Sequence, residues 1–176
     1  NKKETLLLYI ISTYNHNLNN KKLLKLIIKH PNIQIPKDIL WSVLKTQNIQ
    51  VLRLILSCLN ENNDYDYINY VDNHKVSILM YACANYSDNI QLIELLLQQK
   101  NINLLAKDYS GHTALSYAIN NIKCITLLLS KINTIEALLS AIHIASIYDN
   151  ITIKNLLHDV LDQQKVTHTY YNKLYE

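Results

Sequence analysis

The stretch that decides the fold is Ala106-Lys107-Asp108-Tyr109-Ser110-Gly111-His112-Thr113-Ala114-Leu115-Ser116-Tyr117-Ala118, followed shortly by Leu127-Leu128-Leu129. A turn that contains the only glycine of the chain comes first, then a helix of small residues, then a leucine-rich helix. The same order recurs along the 176 residues. Self-similarity at a period of about 20–50 residues is typical of a solenoid, whose units bury their apolar faces only against their neighbours.

Five copies of this unit can be aligned on the first core position of the first helix of each pair, the inner helix. The spacings between these positions are 33, 39, 36 and 27 residues, and the positions are Leu7, Leu40, Leu79, Leu115 and Ile142. Three residues later the last three units have alanine, which would let inner helices approach closely. The alignment predicts a repeat array over residues 1–158, with units starting near 5, 38, 72, 108 and 135. Residues 159–176 would form a C-terminal cap or tail.

The residues Asp108 to Leu115 resemble the D-x-x-G-x-T-P-L turn and helix start of the ankyrin repeat family. Asp72 to Leu79 is a second copy, in which Lys75 replaces the glycine. The resemblance covers about residues 5–158 and implies an all-α ankyrin-type solenoid of stacked helix-turn-helix repeats, an α horseshoe, with short or degenerate hairpin loops. It places His143 at the family's helix-start histidine, where we expect a hydrogen bond within the turn. The fifth unit, with residues 130–136 before its helices, would lack its hairpin.

An insertion from Asn60 to Tyr70 precedes the third unit. Its Asp64, Asp66 and Asn69 loosely suggest a calcium site, but an EF-hand needs glycine at the sixth position and a bidentate carboxylate at the twelfth. Counted from Asp64, Asn69 and Lys75 occupy those positions. We therefore expect a solvated insertion.

Composition excludes several classes of enzyme. A single glycine cannot build the P-loop or the dinucleotide fingerprint, which need several glycines so that backbone N–H groups can approach phosphate. Three widely spaced cysteines contain no C-x-x-C pair, and the seven histidines contain no H-E-x-x-H motif. We expect no catalytic, cofactor or metal site, no enzymatic activity, and buried reduced thiols in a reducing compartment.

The basic residues are concentrated near the N-terminus. Residues 1–53 hold nine basic and two acidic residues, whereas residues 54–176 hold eight and twelve. Lys21, Lys25 and Lys29 form one helical stripe. The stripe is either a patch for an acidic partner or nucleic acid, or the solvated face of an amphipathic helix. We favour the solvated face and expect no nucleic-acid binding, because one short stripe is far from a broad basic surface.

The resemblance implies a non-enzymatic protein–protein interaction module that binds a protein partner on its concave face, as an adaptor, an inhibitor or an effector targeting domain. The residues that it implies for partner binding are Asn73, His74, Val76, Asn85, Tyr86, Tyr109, Ser110, His112, Asn120, Asn121 and Tyr148. The alternative is a substrate-recruiting repeat domain of a larger enzyme whose catalytic part lies outside this sequence, which begins with Asn1 rather than Met. We expect a cytoplasmic monomer without a membrane span, or a host-cytosol location for a secreted effector.

Overall fold

The structure is a computed structural model that describes residues 7, 9–11, 13, 18–30, 35–61, 67–132 and 134–175. At residues 18–20, 61 and 164–175 it describes the backbone only. Within these ranges every regular element is a helix, and the one β-bridge pairs Val71 with Ser77. The chain divides into two compact units, residues 1–70 with 98–102 and residues 71–97 with 103–176.

The first unit contains α1 (Leu18–Ile28), α2 (Ile39–Lys45) and α3 (Ile49–Glu61). Helix α3 packs against both α1 and α2. The turn between α2 and α3 is tight because Gln47 adopts a positive φ of 50° and Asn48 then caps α3. The Asn48 side chain accepts hydrogen bonds from the N–H groups of Gln50 and Val51, which have no partner inside the helix.

The end of the insertion is packed in part, so our expectation of a solvated insertion was wrong for Tyr67 and Ile68, whereas Asn69 is exposed. Ile68 is buried, and the Tyr67 hydroxyl donates to the Ile35 carbonyl at 2.9 Å. The Asn69 amide donates to the Asn101 carbonyl at 2.7 Å. An insertion that buries one side chain and makes two hydrogen bonds to segments about 30 residues away in sequence is part of the first unit. Residues 64 and 66, two of the three positions considered as calcium ligands, lie outside the described residues.

The second unit contains α4 (Ile78–Asn85), α5 (Ile90–Leu97), α6 (Ala114–Tyr117), α7 (Ile122–Leu129), α8 (Ile135–Ile147) and α9 (Ile151–Tyr175). The inner helices pack in sequence order, α4 against α6 and α6 against α8. Each inner helix also contacts the outer helix that follows it, and outer helices α5 and α7 contact each other. These are the stacked helix pairs that the repeat predicts.

The small residues lie where the inner helices meet. Ala82, Ala118 and Ala145 are each no more than 1% exposed, on α4, at the end of α6 and on α8. The five anchors used to align the units are buried as well. A buried methyl group allows close approach of neighbouring helices, in agreement with the contacts of α4 with α6 and of α6 with α8.

Asparagines start the outer helices of the second unit. Asn89, Asn121 and Asn150 each accept a hydrogen bond on the side-chain oxygen from an N–H group in the first turn of α5, α7 and α9 respectively. The amide groups of two of them also reach the preceding repeat. Asn121 donates to the Asp88 carboxylate and Asn150 to the Ile119 carbonyl, both at 2.7 Å. Asn121 and Asn150 therefore each cap one helix and join two successive repeats.

The fifth helix pair differs from the others. Only five residues separate α7 from α8, which begins at Ile135 and leaves no space for a hairpin. His143 therefore lies inside α8 with an exposed side chain, and our expectation of a hydrogen bond within a turn was wrong. Helix α9 continues to Tyr175, so residues 159–175 extend the outer helix of this pair.

Candidate partner-binding surface

The hairpin before α4 is built around Asp72. The Asp72 Oδ1 atom accepts from the N–H groups of His74 and Val76 at 2.9 and 2.8 Å. The backbone closes with Asp72 N–H bound to the Val76 carbonyl and Lys75 N–H bound to the Asp72 carbonyl. Such an Asp-centred turn fixes the backbone of the intervening residues through local hydrogen bonds. Lys75 has a φ of 59°, the left-handed conformation.

The hairpin before α6 repeats this arrangement 36 residues later. Asp108 Oδ1 accepts from the N–H groups of Ser110 and His112, both at 2.8 Å, and Gly111 has a φ of 80°. The Asp108 side chain is only 7% exposed, and its second oxygen accepts from the Tyr117 hydroxyl at 2.7 Å. The ring Nδ1 atom of His112 lies 3.5 Å from the same oxygen.

These contacts lower the pKa of Asp108 and raise the pKa of Tyr117. Partial burial raises the pKa of Asp108, but the hydrogen bonds from Tyr117, His112 and Ser110 outweigh it and hold the pKa below its ordinary value. Burial and the same hydrogen bond raise the pKa of Tyr117 to about 12. Asp108 is therefore a structural anion that is stabilised by hydrogen-bond donors of its own hairpin and helix.

The two hairpin tips contact each other. The Tyr109 N–H group donates to the His74 carbonyl at 3.2 Å, which joins the second tip to the first. The Lys75 Nζ atom lies 5.0 Å from the centre of the Tyr109 ring, within the range of a cation–π interaction. We call residues 73–76 and 109–112 together the tip surface.

Most residues predicted for binding at the hairpins are accessible. Asn73, His74 and Ser110 are exposed, and Tyr109 is 71% exposed. Val76 and His112 are only partly exposed, and His112 packs edge-on against the Tyr117 ring.

The predicted residues at the ends of the inner helices are more varied. Asn85 and Asn120 are exposed, and Tyr148 is 68% exposed beside the exposed Ile147 and Ile151. Tyr86 is half-buried and its ring packs edge-on against Tyr81 at 6.0 Å.

The Asn121 side chain has a structural role. Its side-chain oxygen caps α7 and its amide binds Asp88, so both ends of the side chain are occupied.

Sequence reasoning missed Lys75 as a member of this surface, although it noted that Lys75 takes the place of the glycine. The signal was available, because residue 75 is 36 positions before Gly111, whose turn was recognised. It also missed the hydrogen bond from the Tyr117 hydroxyl to Asp108, which forms because α6 lies against the hairpin that precedes it.

The other chemistry that we considered finds no arrangement to support it in the described part of the chain. No group of three or more His, Cys, Asp or Glu residues is placed to hold a metal ion there. Cys58, Cys83 and Cys124 are buried thiols. A hydrogen bond with Cys124, together with burial, raises the pKa of Cys83 well above its ordinary value. No helix in the described ranges is long and apolar enough to cross a membrane.

Comparison with protein families identifies the repeat. The family described as ankyrin repeats (3 copies) matches residues 39–138, which is more than half of the chain. The chain belongs to the ankyrin repeat family. The matched range includes both hairpins of the tip surface. No curated protein and no solved structure gives a significant match to the chain.

Ankyrin repeats are generally protein–protein interaction modules, they bind protein partners, and the family is typically non-catalytic. The all-α repeat architecture predicted from the sequence is confirmed.

Proposed function

We propose that this ankyrin repeat chain binds one protein partner on the tip surface and on the adjoining ends of the inner helices, as an adaptor, an inhibitor or a targeting module. The observation that carries the proposal is the pair of consecutive tips, each fixed by an aspartate-centred turn and joined by the bond from Tyr109 to His74. A backbone fixed in this way loses little conformational freedom when a partner binds.

The composition of the tip surface supports this role. Tyr109 offers a large exposed ring with a polar end, and Ser110 and His74 offer hydrogen-bonding groups beside it. Tyr148 with Ile147 and Ile151 adds a second exposed apolar group at the end of α8. Tyrosine and polar residues in this combination are typical of protein-binding surfaces.

The experiment places a photo-crosslinking amino acid at position 109 and, in a separate protein, at position 122. Ile122 is 48% exposed and lies at the start of outer helix α7, so it serves as the control site. We expect a discrete crosslinked product from position 109 in cell lysate and none from position 122. The crosslinked protein is then purified and its affinity measured by calorimetry.

Tyr109→Ala should raise the dissociation constant of that partner by about tenfold, the loss expected for an exposed aromatic residue at the centre of an interface. The matched control, Ile122→Ala, should change it little, and both variants should keep the melting temperature of the unaltered chain. Crosslinking from position 122 alone, or an unchanged affinity for Tyr109→Ala, would reject the tip surface as the binding site.

A further inference from the structure

Lys75 occupies a backbone position that disfavours it. Its φ of 59° and the φ of 80° at Gly111 in the next hairpin both lie in the left-handed region. The two hairpins have the same pattern of backbone hydrogen bonds. A side chain in the left-handed region meets a steric penalty that glycine avoids. A lysine at this position therefore has to be explained by its side chain, since the turn itself is better served by glycine.

The Lys75 side chain reaches across to the next repeat. Its Nζ atom lies over the Tyr109 ring, and both residues are exposed. His74 is exposed on the same tip, and the partly exposed His112 lies on the neighbouring one. The tip surface thus has one ammonium group, two imidazoles and a phenol, all of which donate hydrogen bonds.

The carboxylates of the two hairpins are bound within their own turns. Asp72 and Asp108 each accept two backbone N–H groups inside their own turns, and Asp108 also accepts from Tyr117. Among the described residues, no carboxylate forms an ion pair with Lys75.

The other acidic residues that the structure describes in the second unit lie outside the two hairpin segments. Glu136 pairs with Lys107, and the rest lie on outer helices or in the connections that lead to them, at Asp88, Glu94, Asp149, Asp159 and Asp162. Lys75 is therefore the one formally charged side chain among residues 73–76 and 109–112, while the Asp72 and Asp108 carboxylates are bound within their own turns. A cation over an aromatic ring, on two tips that each also have an imidazole, suits a carboxylate-bearing segment.

We propose that the tip surface recognises an acidic peptide segment of the partner, with the Lys75 ammonium and the Tyr109 ring as its central contact. This inference rests on the proposed function and adds the chemistry of the partner. The lysine side chain provides the charge, while the bond between Tyr109 and His74 holds the two tips at a fixed spacing.

The test is an NMR titration of the ¹⁵N-labelled chain at low salt with a hexaglutamate peptide, and with the isosteric uncharged hexaglutamine peptide as control. We expect the amide signals of His74, Lys75, Tyr109 and Ser110 to shift with hexaglutamate only. Added salt should reverse the shifts, because exposed charges are screened.

Lys75→Gly removes the ammonium group and at the same time suits the left-handed backbone, so folding is preserved. It should weaken hexaglutamate binding at the tips by about threefold or more. Lys75→Asn, which also tolerates this conformation, serves as the second variant. The matched control is Lys123→Ala on outer helix α7, an exposed lysine outside the tip surface, which should leave the tip shifts unchanged.

The basic stripe on α1 is the competing site for any acidic peptide. Replacing Lys21, Lys22, Lys25 and Lys29 with alanine should leave the shifts at the tips in place. Shifts confined to α1, tip shifts that persist in both Lys75 variants, or tip shifts with oligothymidylate but not hexaglutamate would overturn the proposal. A crosslinked protein from position 109 would still support the proposed function in that case, whereas loss of both results would reject both.

Discussion

The two hairpins of the second unit have the same backbone but different residues at the strained position. Both are centred on an aspartate that accepts two N–H groups, and both have a left-handed residue in the same place, Lys75 in one and Gly111 in the other. The comparison teaches that the aspartate holds the turn. Glycine lowers the free energy of the left-handed residue, but the hairpin forms without it.

The hairpins also differ in how they are attached to the following helix. Asp108 accepts a third hydrogen bond from Tyr117 on α6. The residue 36 positions before Tyr117 is Tyr81, which packs edge-on against Tyr86 at the end of α4. The Gly111 hairpin is thus tied to its own helix through a nearly buried carboxylate, in addition to the turn.

Removing the two aspartates tests this difference and should give the largest effect. Asp108→Ala leaves two N–H groups and the Tyr117 hydroxyl without their acceptor, and should lower the free energy of unfolding by about 2–3 kcal/mol. Asp72→Ala should cost about 1–2 kcal/mol, because it removes two accepted bonds. Urea unfolding followed by circular dichroism measures both. Glu94→Ala, at an exposed position on α5, is the control and should change little. Equal losses for the two aspartates would show that the bond to Tyr117 contributes nothing.

The spacing of the hairpins depends on the helices that carry them. Ala118→Leu inserts three carbon atoms where the inner helices meet, and should lower the free energy of unfolding by about 1–3 kcal/mol through overpacking. Ala84→Leu adds the same atoms at an exposed position on α4 and should be nearly neutral. Hydrogen exchange at the Tyr109 amide should become faster in Ala118→Leu alone. A variant as stable as the unaltered chain would contradict the close helix contact.

Exchanging the residues at the strained position sharpens the comparison further. Gly111→Lys should lower the free energy of unfolding by about 1–2 kcal/mol, the cost of a side chain in the left-handed region. The penalty is conformational, since an added Cβ atom at Gly111 meets no atom within 4 Å. Lys75→Gly should raise the same free energy by up to about 1 kcal/mol in thermal and urea unfolding. A loss of stability in Lys75→Gly would instead show that the contact with Tyr109 holds the hairpin together.

The smallest expected effect is on the dependence of stability on pH. The pKa of Asp108 is below its ordinary value of 3.8 in the folded chain, so the carboxylate stabilises the fold above the pKa of the unfolded chain. This contribution is lost as the pH falls through the lower, folded pKa. Urea unfolding between about pH 6 and pH 2 should show a smaller acid-induced loss for Asp108→Asn than for the unaltered chain. Identical pH profiles would mean that the hydrogen bonds to Asp108 do not favour its charged form.

Much of the fold could be predicted because the signal is repeated. Several features recur in the same order along the chain: the aspartate turns, which are 36 residues apart, the alanines after the anchors and the leucine-rich second helices. Each of these residues has a local physical reason for its place, in a turn or in a helix contact. The predicted burial of the anchors and the stacking of helix pairs are accordingly seen in the structure.

The error at His143 shows where the register stops being reliable. The motif places this residue at a helix start, but α8 begins eight residues earlier because no hairpin interrupts the helix-forming residues after Ile135. The family pattern assumes a preceding turn, and that turn is missing. The histidine then has no backbone group to bond and faces solvent.

The insertion was misjudged for a different reason. Its composition is polar and tyrosine-rich, which indicates a solvated loop. Tyr67 and Asn69, however, bond to the carbonyl groups of Ile35 and Asn101, which are distant in sequence. A partner that far away cannot be read from local composition.

The sequence by itself determined the helix pairs, their register and the two aspartate-centred turns, because each depends on residues within a few positions of one another. Only the tertiary structure decided that Lys75 lies over Tyr109, that the Tyr109 amide binds His74, and that Asn121 is committed to Asp88. These contacts join residues 33 to 35 positions apart, and each forms only when successive repeats stack against each other.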